Sequence, residues 1–172
     1  MLYHLSYAAI GCMELPKYTN ASISCQHRSL TRRNIDSTIL TRMTHTTELT
    51  TRSYECDSYG HINNAVYLNY LEFARIRFLD ALPVSYEELR SRGIGFVVTR
   101  VCIDYRSQVE SGQNLRIETS PVQKQKARVV FRQSVFRDAE LVAEAEVTWA
   151  CINEQGVPIR IPPELDLPEL EP

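Results

Sequence analysis

Between Glu55 and Arg75 the chain reads ECDSYGHINNAVYLNYLEFAR, and Asp57, Gly60, His61, Asn63 and Asn64 crowd ahead of a long apolar run. Polar groups able to do chemistry therefore stand at the start of a predicted buried helix. The first amides of a helix lack intrahelical acceptors and carry about half a positive charge. They suit a carbonyl oxygen on which negative charge builds. Gly60 permits a tight turn or a close approach to a ligand. Asp57 supplies a carboxylate a few residues from those donors, able to attack directly or to deprotonate water. Together these groups provide what transfer of an acyl group to water requires. Each also has a plainer use. Asp57 suits a turn, and Asn63 or Asn64 suits a helix N-cap. His61 fits a general base, a hydrogen-bond donor or a loop residue. Cys56 has no partner base and reads as a small packed side chain. Glu72 and Arg75, spaced i, i+3, predict an ion pair on the helix.

The elements that must position these residues follow from periodicity. Residues 46–56 read as a strand, and 57–63 as a break. From Asn64 to about Leu82, the residues Tyr67, Tyr70, Leu71, Ala74, Phe78, Ala81 and Leu82 form one apolar stripe at helical spacing. Val66, Leu68, Phe73, Ile76 and Leu79 lie outside the stripe, so this helix needs more cover than a surface helix has. Pro83 ends it. A short helix follows over 85–93, with Ser85 as N-cap, Glu88 in the capping-box position and Gly93 as C-cap. The remainder is strand-like over 94–106, 115–123, 127–137 and 141–153. The connections at 107–114, 124–126 and 138–140 are of hairpin length and predict antiparallel neighbours. One long apolar helix and about five antiparallel strands make an α+β protein in which a curved sheet wraps a central helix, the hot-dog architecture. A single sheet leaves its edges and flanks open, so a homodimer, or a tetramer built as a dimer of dimers, completes the burial.

Three segments are expected: residues 1–42, a domain over 43–163 and an acidic, Pro-rich tail over 164–172. Residues 1–42 hold Lys17, Arg28, Arg32, Arg33 and Arg42 against Glu14 and Asp36 and show no sustained periodicity. They read either as a transit-like segment or as an extension upstream of a start at Met43, disordered in both cases. The run GVPIRIPPELDLPELEP reads as an extended, mostly solvated end.

With 44% hydrophobic and 23% charged residues, the 172-residue chain is long enough to bury a core. A net charge of -2 offers no basic field for nucleic acid or an anionic membrane. No apolar stretch reaches the roughly 20 residues of a membrane span. The five cysteines are scattered without a CxxC pair, so neither a metal site nor a disulfide framework is expected, and a reducing, cytoplasmic setting follows. A transit role for residues 1–42 would substitute an organelle stroma or matrix. No G-x-S-x-G elbow and no Walker loop occurs.

The stretch from Glu55 to Arg75, with the strands after it, resembles the 4-hydroxybenzoyl-CoA thioesterase-like branch of the hot-dog superfamily. It is also similar to acyl-ACP thioesterases, in which a D-x-N-x-H-V-N-N motif precedes the same helix. The resemblance spans residues 46–163 and is most specific at Asp57, Gly60, His61, Asn63, Asn64 and Tyr67, followed by Glu72 and Arg75. It implies hydrolysis of acyl-CoA or acyl-ACP within fatty acid metabolism, with Asp57 as catalytic carboxylate, amides of about Gly60 to Asn64 polarising the thioester, and no cofactor. His61 and Asn64 would assist catalysis. Gly60, Asn63, Tyr67, Leu71 and Phe96 would bind substrate in a groove at the dimer interface. Arg100, Arg106 and Lys124 are candidates for the phosphates of CoA or an acidic carrier. Asn64 stands where many small acyl-CoA thioesterases have His, and Tyr59 stands where the acyl-ACP enzymes have Asn, so the carrier stays open. Two other functions compete. A hot-dog hydratase or dehydratase would carry D-x-N-P-x-H, whereas His61 is four residues after Asp57 and no Pro intervenes. A non-catalytic acyl-CoA-binding module would need the pocket but not Asp57.

Overall fold

The computed structural model describes residues 44–165 and residue 170. The expectations for residues 1–42, and most of those for the tail, lie outside them. The described elements are β1 (His45–Thr50), α1 (Val66–Asp80), α2 (Tyr86–Ser91), β2 (Gly95–Tyr105), β3 (Asn114–Lys124), β4 (Arg128–Arg137) and β5 (Glu140–Ile152), with 3-10 turns at Ser53–Glu55 and Pro163–Leu165. The five strands form one sheet in the order β1-β3-β4-β5-β2, antiparallel throughout. α1 packs across its inner face, which is the α+β hot-dog arrangement.

The core follows from two interlocking periods. On α1, Tyr67, Tyr70, Leu71, Ala74, Arg75, Phe78 and Leu79 are buried. On β3 and β4 every second residue turns inward: Leu115, Ile117 and Thr119, then Val129, Phe131, Gln133 and Val135. Register aligns these rows, with Ile117 opposite Val135 and Thr119 opposite Gln133. The Phe78 ring meets Phe131 edge-on at 5.4 Å, and Phe131 meets Trp149 at 5.0 Å. Each such side chain contributes about 1.5–3 kcal/mol by leaving water, and together they hold α1 on the sheet.

Several boundaries and pairings differ from the expectations. β1 stops at Thr50 instead of Cys56, because Glu55 folds back on Arg52 and closes a 3-10 turn. α1 begins at Val66, two residues late, since Asn64 and Ala65 form the turn that feeds it. Ser85 is the N-cap of α2 but makes no side-chain cap bond. β2 and β3 are not neighbours: β2 pairs with β5, and β3 with β1. The connection between them crosses the start of α1, where Val109 accepts the Ile62 N–H at 2.7 Å and Gln113 accepts the Thr51 N–H at 3.0 Å. At the C-terminal end, expected to be mostly solvated, Ile161, Leu165 and Leu170 are buried in the core. Their aliphatic side chains decide the matter, whatever the surrounding prolines and acids suggest.

Candidate active site

The loop from Thr51 to Ala65 is built almost entirely by its own polar groups. Thr51 anchors its entrance, donating Oγ1 to the Glu110 carbonyl at 2.7 Å. At Asp57 the chain reverses. Oδ1 of Asp57 accepts the N–H of Tyr59 at 2.8 Å and of His61 at 3.2 Å. The Asp57 N–H donates to the His61 carbonyl at 2.8 Å, and Gly60 N–H to the Asp57 carbonyl at 3.1 Å. Gly60 has φ +81, a conformation that strains other residues even though open space surrounds it. Beyond the turn, Cys56 bridges to Ile62 and His61 to Glu110, so the loop lies as a short ribbon against the β2–β3 connection.

The loop then runs into α1. Asn63 donates its N–H to the Glu55 carbonyl at 2.9 Å, and its Oδ1 accepts the Ala65 N–H at 2.9 Å. Its own carbonyl accepts the Val66 N–H. Neither candidate is the N-cap itself: that position is Ala65, with no side-chain cap bond, and Asn63 instead closes the turn ahead of the helix. Asn64 behaves differently. Its carbonyl accepts the Tyr105 hydroxyl at 2.9 Å, while nothing among the described residues accepts its N–H. This narrows the expected donor set. The amides of Gly60, His61, Ile62 and Asn63 are all committed within the protein, and Asn64 alone of that run keeps a free donor at the positive end of α1. Asp57 is divided in the same way: Oδ1 holds the turn, while Oδ2 has no bonded partner among the described residues.

The sequence-predicted residues separate into two groups. Asp57, Gly60, His61, Asn63 and Asn64 share this one loop. Tyr67 adjoins it, with its ring 5.2 Å from Tyr105, and burial pushes its phenol up to about 12. Leu71, at 1% exposure, is enclosed in the core, and its carbonyl accepts Gln133 Nε2. Phe96 lies at the other end of β2, against Tyr86 and Trp149. Nine residue steps of extended strand, roughly 30 Å, separate it from Tyr105. Of the basic candidates, Arg106 pairs with Glu144 at 3.1 Å, Arg100 is exposed, and Lys124 lies at the far end of β3.

The predicted Glu72–Arg75 ion pair is replaced by a buried arrangement. Arg75, at 3% exposure, donates Nη1 to Gln133 Oε1 at 2.7 Å and lies 5.3 Å from the Trp149 ring centre, and Glu72 is exposed. Its inward rotation puts the guanidinium in the core, where burial lowers its pKa to about 10. Two surface cavities, of about 820 and 420 Å³, border α2 and the β1–β3 edge, and neither includes Asp57, His61 or Asn64. Among the described residues, no group of three or more His, Cys, Asp or Glu side chains could hold a metal ion, and no helix is long and apolar enough to cross a membrane. Sequence reasoning gave no site role to Glu55, within the loop, or to Tyr70 and Tyr105, which hold the loop from outside. Glu55 stood only two positions before Asp57, but nothing local announced its partners.

Comparison with known proteins places the chain. The family profile of the thioesterase-like superfamily matches residues 51–167. The chloroplastic acyl-acyl carrier protein thioesterase ATL3 of Arabidopsis thaliana is 28% identical over 120 residues, covering 69% of this chain and 63% of the relative. The chain thus spans just under two thirds of that relative's length. The long-chain acyl-CoA thioesterase FadM of Escherichia coli is 33% identical over 110 residues, covering 62% of this chain and 82% of the relative. Among solved structures, a DHNA-CoA thioesterase from Staphylococcus aureus superposes with a TM-score of 0.65 at 26% identity, over 68% of this chain and 80% of that one.

Proposed function

Because the chain belongs to the thioesterase-like superfamily, we propose that it hydrolyses acyl thioesters of coenzyme A or acyl carrier protein to a free acid and a thiol. One observation carries this reading. Among the described residues, every amide from Tyr59 to Val66 but that of Asn64 has an acceptor, and in the same loop Asp57 keeps one carboxylate oxygen without a partner. A free donor at a helix start and a free carboxylate oxygen are the minimum for polarising a carbonyl and activating water.

The thioester oxygen takes the Asn64 N–H bond, which strengthens as the carbonyl carbon becomes tetrahedral. Water passes a proton to Asp57 while its oxygen attacks that carbon; alternatively Asp57 attacks and water opens the resulting anhydride. In both routes the C–S bond breaks and the thiolate leaves with a proton. His61, half-buried, orients water or thioester, together with the exposed Asn64 amide. Gly60 lets substrate approach the backbone, Asn63 acts through the turn it closes, and Tyr67 walls the entrance. Leu71, enclosed in the core, and Phe96, at the far end of β2, do not reach this loop.

A second copy of the chain completes the groove, as a homodimer or a dimer of dimers. The edge strand β2 exposes Val97, Val98, Val101 and Tyr105, and α1 exposes Leu68, Phe73 and Ile76, apolar side chains of the kind that a second subunit covers. The setting is fatty acid metabolism in the cytoplasm, or in an organelle stroma or matrix if residues 1–42 serve as a transit segment; the N-terminal sequence of protein recovered from cells decides between them. The function itself is tested with purified full-length protein and a panel of aromatic, short-chain and long-chain thioesters on both carriers. Turnover of at least one class is expected. Binding of acyl-CoA without release of thiol would instead identify a binding module.

A further inference from the structure

Glu55 and Tyr70 have no part in the mechanism above, yet they join its two halves. The Tyr70 hydroxyl donates to Glu55 Oε2 at 2.6 Å. The same oxygen accepts the Arg52 N–H at 2.7 Å, and Oε1 takes Arg52 Nη1 at 3.1 Å. The Glu55 side chain is only 10% exposed, and Tyr70 is buried. Through its backbone, Glu55 also accepts the Asn63 N–H at 2.9 Å. One residue is thus tied to α1 by Tyr70, to the 3-10 turn by Arg52, and to the end of the loop by its own carbonyl. It precedes Asp57 by two positions, and its backbone partner immediately precedes Asn64.

Resting on the reading that Asp57 and the Asn64 amide act on the thioester, we propose that the Glu55–Tyr70 contact is a positioning device that fixes the carboxylate-bearing and amide-bearing limbs of the loop against α1. The exposed Arg52 would do this poorly, since such surface pairs contribute little. A hydroxyl donating to a covered carboxylate is a short, charge-assisted bond and directional. Burial and the bond to Glu55 push the Tyr70 phenol far up. Burial alone would raise the Glu55 carboxyl, but the bonds from Tyr70 and Arg52 outweigh it and hold the group below its usual range. Donor and acceptor therefore keep their roles at neutral pH. Such a brace matters because catalysis depends steeply on placement: an error of about 1 Å costs as much as about 100-fold.

The test compares full-length wild type with Tyr70→Phe, Glu55→Ala and Glu55→Gln by amide hydrogen exchange at Asn63 and by steady-state kinetics on a panel of acyl-CoA and acyl-ACP thioesters. Tyr70→Phe and Glu55→Ala should lower protection of the Asn63 N–H by about tenfold while the sheet amides keep theirs. In both, kcat should fall about tenfold with KM changed less than about twofold. Glu55→Gln, whose amide oxygen still accepts from Tyr70, should retain most of both. Unchanged protection at Asn63 overturns the clamp. Lost protection with kcat intact, or a loss confined to KM, overturns the positioning role. If wild type hydrolyses none of the thioesters, the functional reading and the catalytic role of the clamp fall together, and a clamp that proves intact by exchange is then only a structural tie.

Discussion

Asp57→Asn separates chemistry from architecture at the proposed site. Asp57 holds its turn through Oδ1, which accepts two backbone N–H groups at 2.8 and 3.2 Å. An asparagine Oδ1 accepts the same two bonds. What changes is the second position, where an NH₂ group that takes no proton replaces the free oxygen. Loss of a general base lowers turnover by about 10²–10⁴, equivalent to about 2.7–5.4 kcal/mol of barrier at 1.36 kcal/mol per decade. The structural cost is much smaller. Two charge-assisted bonds become neutral ones, a loss of about 1–2 kcal/mol, visible as a melting temperature lower by several degrees. Asp57→Ala supplies the contrast: it removes both bonds along with the base and should melt lower still, with a similar kcat. The assay follows thiol release under saturating acyl-CoA or acyl-ACP beside thermal denaturation of each variant. If Asp57→Asn turns over within about threefold of wild type, the carboxylate is only a turn residue and the mechanism built on it fails.

Three further outcomes follow from the same geometry. His61→Ala should cost less than Asp57→Asn, about tenfold or below, because the bridge to Glu110 uses the His61 backbone and survives; an unchanged rate would make His61 a loop residue. Arg75→Met should destabilise by about 1–3 kcal/mol in urea denaturation, since Gln133 Oε1 loses the donor it has at 2.7 Å, and no loss of stability would mean that water satisfies that oxygen instead. The third concerns pH. The bonds from Tyr70 and Arg52 hold the Glu55 carboxyl below the ordinary glutamate range in the folded state, so its contribution to stability is full above that range and disappears as pH falls through the lower folded value. Glu55→Gln should flatten that part of the acid limb of a stability–pH curve, and an identical limb would show that the depression has no energetic consequence.

How much of this was legible beforehand depended on whether the signal was local. The α1 stripe was readable because Tyr67, Tyr70, Leu71, Ala74 and Phe78 repeat at the helical period and do face the sheet. The alternation in β3 and β4 was readable for the same reason. Pairing was not. A connection of a few residues between 107 and 114 fits a hairpin as well as a crossing, and only tertiary packing, with Val109 buried beside Ile62, selects the crossing. Arg75 shows the other failure. Three-residue spacing from Glu72 predicts an ion pair for any helix, but at that position on α1 the side chain points into the core, where Gln133 and Trp149 receive it.

The candidate site divides along the same line. Its residue types stood together in the sequence, since one loop supplies all of them, so a carboxylate, a glycine and a helix start could be read off directly. Their division of labour could not. Which amide stays free depends on where Val109, Glu55 and the Asp57 carbonyl lie, because each takes one donor out of use. A helix start therefore does not offer all its first amides to a ligand, as sequence reasoning assumes. The protein's own acceptors take up those of Gly60, His61, Ile62, Asn63, Ala65 and Val66. The donor left over within the loop, at Asn64, is defined by subtraction, and that sum can be done only once the loop has folded on itself and Val109 has come from the β2–β3 connection.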